Sequence, residues 1–193
     1  GELQPVASQC EKRVPQTTVD DSEFYIRIIR QGQELATWHY SLAELHSVYG
    51  DVASEEEYCY YNHNMNNGQG GQRKVTAHGW LLLSLLEFLP QIPNREEIEN
   101  GSVMFQIFTN DNYKEKIALS ADELSAYRFI LAYEQDQRTQ TGLEKGDTSL
   151  WDDVEKRFVP IKGTTPFRVY CGKESANPSV YKNAAGMQVE LLF

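Results

Sequence analysis

In EFYIRIIR, residues 23–30, Phe24, Ile26 and Ile28 alternate with Tyr25 and Arg27. A period of two sends successive side chains to opposite faces of an extended chain, so one face of this stretch is apolar. An isolated strand cannot cover such a face, and the pattern therefore commits the chain to a sheet with a core behind it. The QGQ that follows suits a turn into a second strand through ELATWHY.

Helix signals are short by comparison. Ser41 and Glu44 stand three apart, as do Ser120 and Glu123, the spacing at which a hydroxyl and a carboxylate cap the first turn reciprocally. Leu82, Leu85, Leu86 and Leu89 share one helical face, and Pro90 and Pro93 stop that helix. VMFQIFT and YKEKIAL flank NDN as a hairpin, RFILAYEQD returns to strand character, and TPFRVYCG and GMQVELLF close the chain as two strands. The sum is an α+β chain, strand-rich with short helices.

Residues 1–22 carry two prolines and no periodicity and read as an extended lead-in; 23–193 form one domain. A polar, mostly aperiodic stretch at about 136–163 reads as an insertion, with an amphipathic turn around Trp151 and Val154. The chain has 193 residues, 40% of them hydrophobic, enough to bury one core. Its net charge of -10 opposes binding to a phosphate backbone, so nucleic acid is not an expected partner. WLLLSLLEFL is half the length of a membrane span, which needs about 20 apolar residues. Gly1 reads as a residue left by tag removal; an extracytoplasmic location is then the expectation, with any leader outside this sequence.

Cys10, Cys59 and Cys171 are odd in number and lack the C-x-x-C spacing of a structural zinc site. G-x-S-x-G and H-E-x-x-H are absent, and no Ser/His/Asp set has the spacing of a triad. NHNMNNGQGGQR, residues 62–73, is glycine-rich but lacks the G-K-[ST] ending of a P-loop, and it reads as a surface loop. His63 and His78, 15 apart, have no partner at helical metal-ligand spacing and read as hydrogen-bonding histidines at the loop edge.

The order of these segments resembles the molybdopterin-binding domain of the sulfite oxidase-type oxidoreductases. SLAEL stands where that family has a short helix after its opening strands, and Cys59 with Asn62 resembles its cysteine followed by a small loop and Asn. HGWLLLSLLEFL, VMFQIFTNDNYKEKIALSADEL, FILAYEQD, TPFRVYCG and YKNAAGMQVEL are similar, in that order, to its later segments. The likeness runs from about Phe24 to the end and implies the sulfite oxidase molybdopterin-binding fold. Asp111-Asn112-Tyr113 stands where the family has D-G-Y, and Cys171-Gly172 where it has Pro-Gly. The insertion at 136–163 has no counterpart.

The resemblance implies molybdopterin as cofactor, a small-molecule ligand, and two-electron oxo-transfer chemistry. Cys59 would ligate molybdenum, since a soft thiolate suits that metal, and Tyr113 would face the same pocket. Asn62 and His63 would line the pterin, while Arg73, Arg168 and Lys182 would neutralise its phosphate. The residues alone leave other readings open. Cys59 also suits a buried strand cysteine, Tyr113 packing across its turn, and the cations a solvated surface. Tyr60 and Tyr61 crowd the position where active members have small residues. The alternative function is accordingly a non-catalytic binding or interaction module that keeps the fold and has lost the cofactor.

Overall fold

The strand pair predicted from alternation forms. β1 (Glu23–Arg30) and β2 (Gln33–Ser41) are antiparallel, joined through Gln31 and Gly32 at φ 50° and 77°. Positive φ at both turn positions matches the right-handed twist of the flanking strands. The computed structural model describes residues 22–62, 71–87, 103–111, 119–136, 155–172 and 180–192. The lead-in up to residue 21, the middle of the Asn/Gly loop, Leu89 with its two prolines, and Trp151 with Val154 lie outside the described residues.

After β2 come α1 (Leu42–Tyr49), a single 3-10 turn (Gly50–Val52), β3 (Ser54–Asn62), β4 (Gly71–Leu81) and α2 (Leu82–Leu86). The chain continues as β5 (Val103–Thr109), β6 (Leu119–Ser120), α3 (Ala121–Ala126) and β7 (Ile130–Asp136), then as β8 (Phe158–Pro160), β9 (Arg168–Tyr170), β10 (Val180–Tyr181) and β11 (Ala184–Leu191). Both expected capping boxes are made: Ser41 with Glu44 opens α1, and Ser120 with Glu123 opens α3.

Two sheets result. The first runs β2-β1-β11-β5-β6, with β1 and β11 parallel and the other neighbours antiparallel. The second runs β10-β9-β7-β4-β3, and β8 joins β7 beyond the end of β9. Phe24, Ile26, Ile28, Phe105 and Val189 from the first sheet share one buried cluster with Trp80, Leu131 and Val169 from the second. The sheets therefore face each other across that core, which Leu45 of α1, Leu85 of α2 and Leu124 of α3 also enter. Ile130, Ala132, Tyr58, Val75, Ala77, Ile161 and Tyr170 form a separate cluster. Leu131 and its neighbours Ile130 and Ala132 thus bury opposite faces of the second sheet, as strand alternation requires.

Three sequence expectations change. The glycine-rich stretch read as a loop ends inside a strand, because Gly71 to Arg73 pair with β3. The insertion at 136–163 ends in β8, whose three residues are too few to show a period. Of GMQVELLF, residues Gly186 to Leu191 are the latter part of a strand that starts at Ala184, where small residues hide the alternation.

Candidate functional site

Arg168, the cation that follows the TPF motif, belongs to a buried polar node. Its Nη1 donates to the Tyr170 hydroxyl at 2.9 Å and to Gln135 Oε1 at 3.3 Å, and its Nη2 donates to the Lys162 carbonyl at 3.1 Å. Tyr170 in turn donates to Gln135 Oε1 at 2.5 Å, and both Tyr170 and Gln135 are fully buried. A guanidinium has five N–H donors; here the bonds to Gln135 and Lys162 tie β9 to β7 and to the chain after β8, and the bond to Tyr170 stays within β9. Arg168 acts here as a strut between elements.

Lys182 is exposed in the turn between β10 and β11. Tyr181 pairs with Val169, so the backbone at 182 stands beside Arg168. Next to it, Asn183 at φ 57° joins three loops. Its Nδ2 donates to Asp111 at 3.3 Å, its Oδ1 accepts from Thr164 N at 2.9 Å, and its carbonyl accepts from Asn110 N at 3.0 Å. Thr109 also donates to Asp111 at 2.6 Å. The Asp111 turn is thereby built into the fold.

Cys59 lies elsewhere. On the β3–β4 ladder it pairs with Lys74, Tyr60 pairs with Arg73, and Asn62 pairs with Gly71. The ladder thus groups Cys59, Asn62, Arg73 and Lys74 at one end of the two strands. Register gives their distance from Arg168, which pairs with Ala132, as Ala132 does with Gly79 and Gly79 with Ser54. Three strand steps of about 4.8 Å and five residues of about 3.3 Å separate the Cys59 and Arg168 backbones by on the order of 20 Å. His63 and Tyr113 lie outside the described residues. Of the phosphate anchors implied by the resemblance, the sheet brings the Arg73 backbone beside Cys59 and holds that of Arg168, with Lys182 next to it, apart from them. Arg168, moreover, is engaged internally.

Among the described residues, a group of titratable side chains surrounds His78. Its Nδ1 is 2.6 Å from Glu134 Oε1 and its Nε2 is 2.7 Å from Glu55 Oε2. Phe158 stacks on the imidazole with centroids 3.6 Å apart and planes 10° apart. Lys156 reaches Glu55 from the same side and lies 5.3 Å from the Phe158 ring centre. His46 of α1 packs edge-on against Tyr133, 4.4 Å between centroids. The hydrogen bonds of Lys156 and His78 hold the Glu55 carboxyl below the usual carboxylate range. The expectation of a hydrogen-bonding histidine at position 78 agrees with this geometry. Its carboxylate partners escape sequence reading because they sit 23 residues before it and 56 after it.

No family model, curated protein or solved structure matches this chain. Among the described residues, no group of three or more His, Cys, Asp and Glu is arranged to hold a metal ion. No helix among them is long and apolar enough to cross a membrane.

Proposed function

We propose that this chain is a sulfite oxidase-type oxidoreductase molybdopterin-binding domain by fold, and that it works as a non-catalytic binding or interaction module. One observation carries the second half of that reading. Arg168, which the resemblance assigns to the cofactor phosphate, spends its terminal nitrogens on Gln135, Tyr170 and Lys162. The first half is supported by order. SLAEL, HGWLLLSLL, VMFQIFT, FILAYEQD, FRVY and the closing strand each form a helix or strand, as the resemblance calls for.

A second reading, a two-electron oxo-transfer oxidoreductase, is favoured by the grouping of Cys59, Asn62 and Arg73 on one ladder. In that reading molybdopterin would supply the redox chemistry and the chain would supply orientation and charge. Expression in a host that makes the cofactor separates the two. The binding-module reading expects no stoichiometric molybdenum by elemental analysis and no visible absorption band. One molybdenum per chain, lost on Cys59→Ser substitution, would overturn it.

A further inference from the structure

Glu55, His78 and Glu134 occupy one register row across β3, β4 and β7. A carboxylate oxygen only accepts hydrogen bonds, so each of the two close contacts to His78 requires a proton on the ring. Neutral imidazole has one N–H and imidazolium has two. The distances of 2.6 and 2.7 Å are those of charge-assisted bonds at both nitrogens. Both contacts are hydrogen bonds at once only when the ring carries two protons.

We propose that this row is a proton-operated latch that seats residues 155–160 on the second sheet. The groups facing His78 are Glu55 from β3, Glu134 and Tyr133 from β7, and Lys156 and Phe158 from the latched segment. His46 of α1 reaches the group through Tyr133, and Thr76 with Glu57 is two positions further along the β3–β4 ladder, the next pair on the same face. The segment itself has three backbone register positions with β7, at Phe158, Val159 and Pro160. The Ile161 amide on the Tyr133 carbonyl, the stacking of Phe158 on His78, and the reach of Lys156 to Glu55 also attach it to the sheet.

When the ring gives up one proton, one carboxylate must face a nitrogen lone pair at hydrogen-bonding distance, and two acceptors repel. Glu134 is the less exposed partner, with its side chain 31% accessible against 45% for Glu55. Water compensates Glu55 more readily, so the remaining proton stays on Nδ1 and Glu55 swings away. Lys156 goes with it. Phe158 loses the attraction of a cationic ring over its face. The latch thus holds while His78 is doubly protonated and opens as the pH rises. Nothing in it depends on whether the chain binds a cofactor.

The test is amide hydrogen exchange by mass spectrometry on the full chain at about pH 5.5 and about pH 8, corrected for intrinsic rates, across the range where histidine charge changes. Peptides covering 155–160 should lose about tenfold in protection at the higher pH, the size of one charge-assisted bond, while β1 and β11 stay unchanged. His78→Gln should remove the pH dependence, and His46→Gln should keep it. Glu55→Gln provides a check that leaves His78 in place. Its amide oxygen accepts from the charged ring and its NH2 donates to the neutral one, so protection of the segment should no longer change with pH, at a level lowered equally at both pH values by loss of the Lys156 ion pair. A pH-independent wild type, or the wild-type response persisting in either His78→Gln or Glu55→Gln, would overturn the latch.

Discussion

The carbonyl oxygen of Leu131 lies 2.1 Å from the point where a Cβ on Gly79 would sit, and the Ala132 Cα lies 2.7 Å from it. The register between β4 and β7 shifts between His78 and Gly79, so the two backbones close on each other where only hydrogen fits. These neighbours are backbone atoms and cannot rotate away. Gly79→Ala should therefore reduce the unfolding free energy by about 2 kcal/mol or more, read from the urea midpoint at constant slope. Gly50→Ala is the contrast. That residue has helical dihedrals with open space around its missing Cβ, and the change should be neutral or stabilising by up to about 1 kcal/mol.

The two capping boxes should respond alike. In each, a serine hydroxyl accepts from the amide three residues on at 3.2 Å, and the glutamate at that position accepts from the serine amide. Ser120→Ala and Ser41→Ala should each cost about 1 kcal/mol in a denaturant titration, and the glycine variants only a few tenths.

These caps were legible in the sequence because both halves of each box lie within four residues. The same holds for β1, whose alternation needs no distant partner to be read, and for the leucine face of α2. What stayed hidden depends on long-range register. The Glu55–His78–Glu134 row joins residues up to 79 positions apart, and a bulge that no local pattern marks brings Glu134 opposite His78. Arg168 illustrates the same limit from the other side. The resemblance assigns it to a cofactor phosphate, whereas the contact that engages it reaches Gln135, 33 positions earlier. β8 escaped notice because three residues cannot display a period of two.

The Arg168 node makes a prediction that a surface cation would not. Removing the Tyr170 hydroxyl takes the 2.5 Å donor from buried Gln135 and an acceptor from Arg168. Tyr170→Phe should therefore cost about 1–3 kcal/mol, the penalty for leaving buried polar groups poorly satisfied. Arg168→Ala should lower the melting temperature as well. A full-stability Arg168→Ala protein would return that residue to the role of a free surface cation.

Tyr58 sets the alkaline limit of the fold. Its phenol is buried and donates to the Arg128 carbonyl, with the Arg128 guanidinium 4.7 Å from the ring centre. Burial, reinforced by the negative field of Glu56 and opposed by Arg128, pushes the phenol well above the ordinary tyrosine range. The folded chain then keeps a proton that the unfolded chain gives up from about pH 10 upward, so the folded state binds more protons in that window. Stability from this residue is complete below about pH 10 and falls as the pH climbs toward the raised folded value. Tyr25 and Tyr133 are raised by burial too and should add to the fall. Tyr58→Phe should lower stability at neutral pH by about 1 kcal/mol, for one lost hydrogen bond, and flatten the decline of the urea midpoint above about pH 10. An unchanged alkaline slope in that variant would mean that the Tyr58 proton is not what the folded state retains.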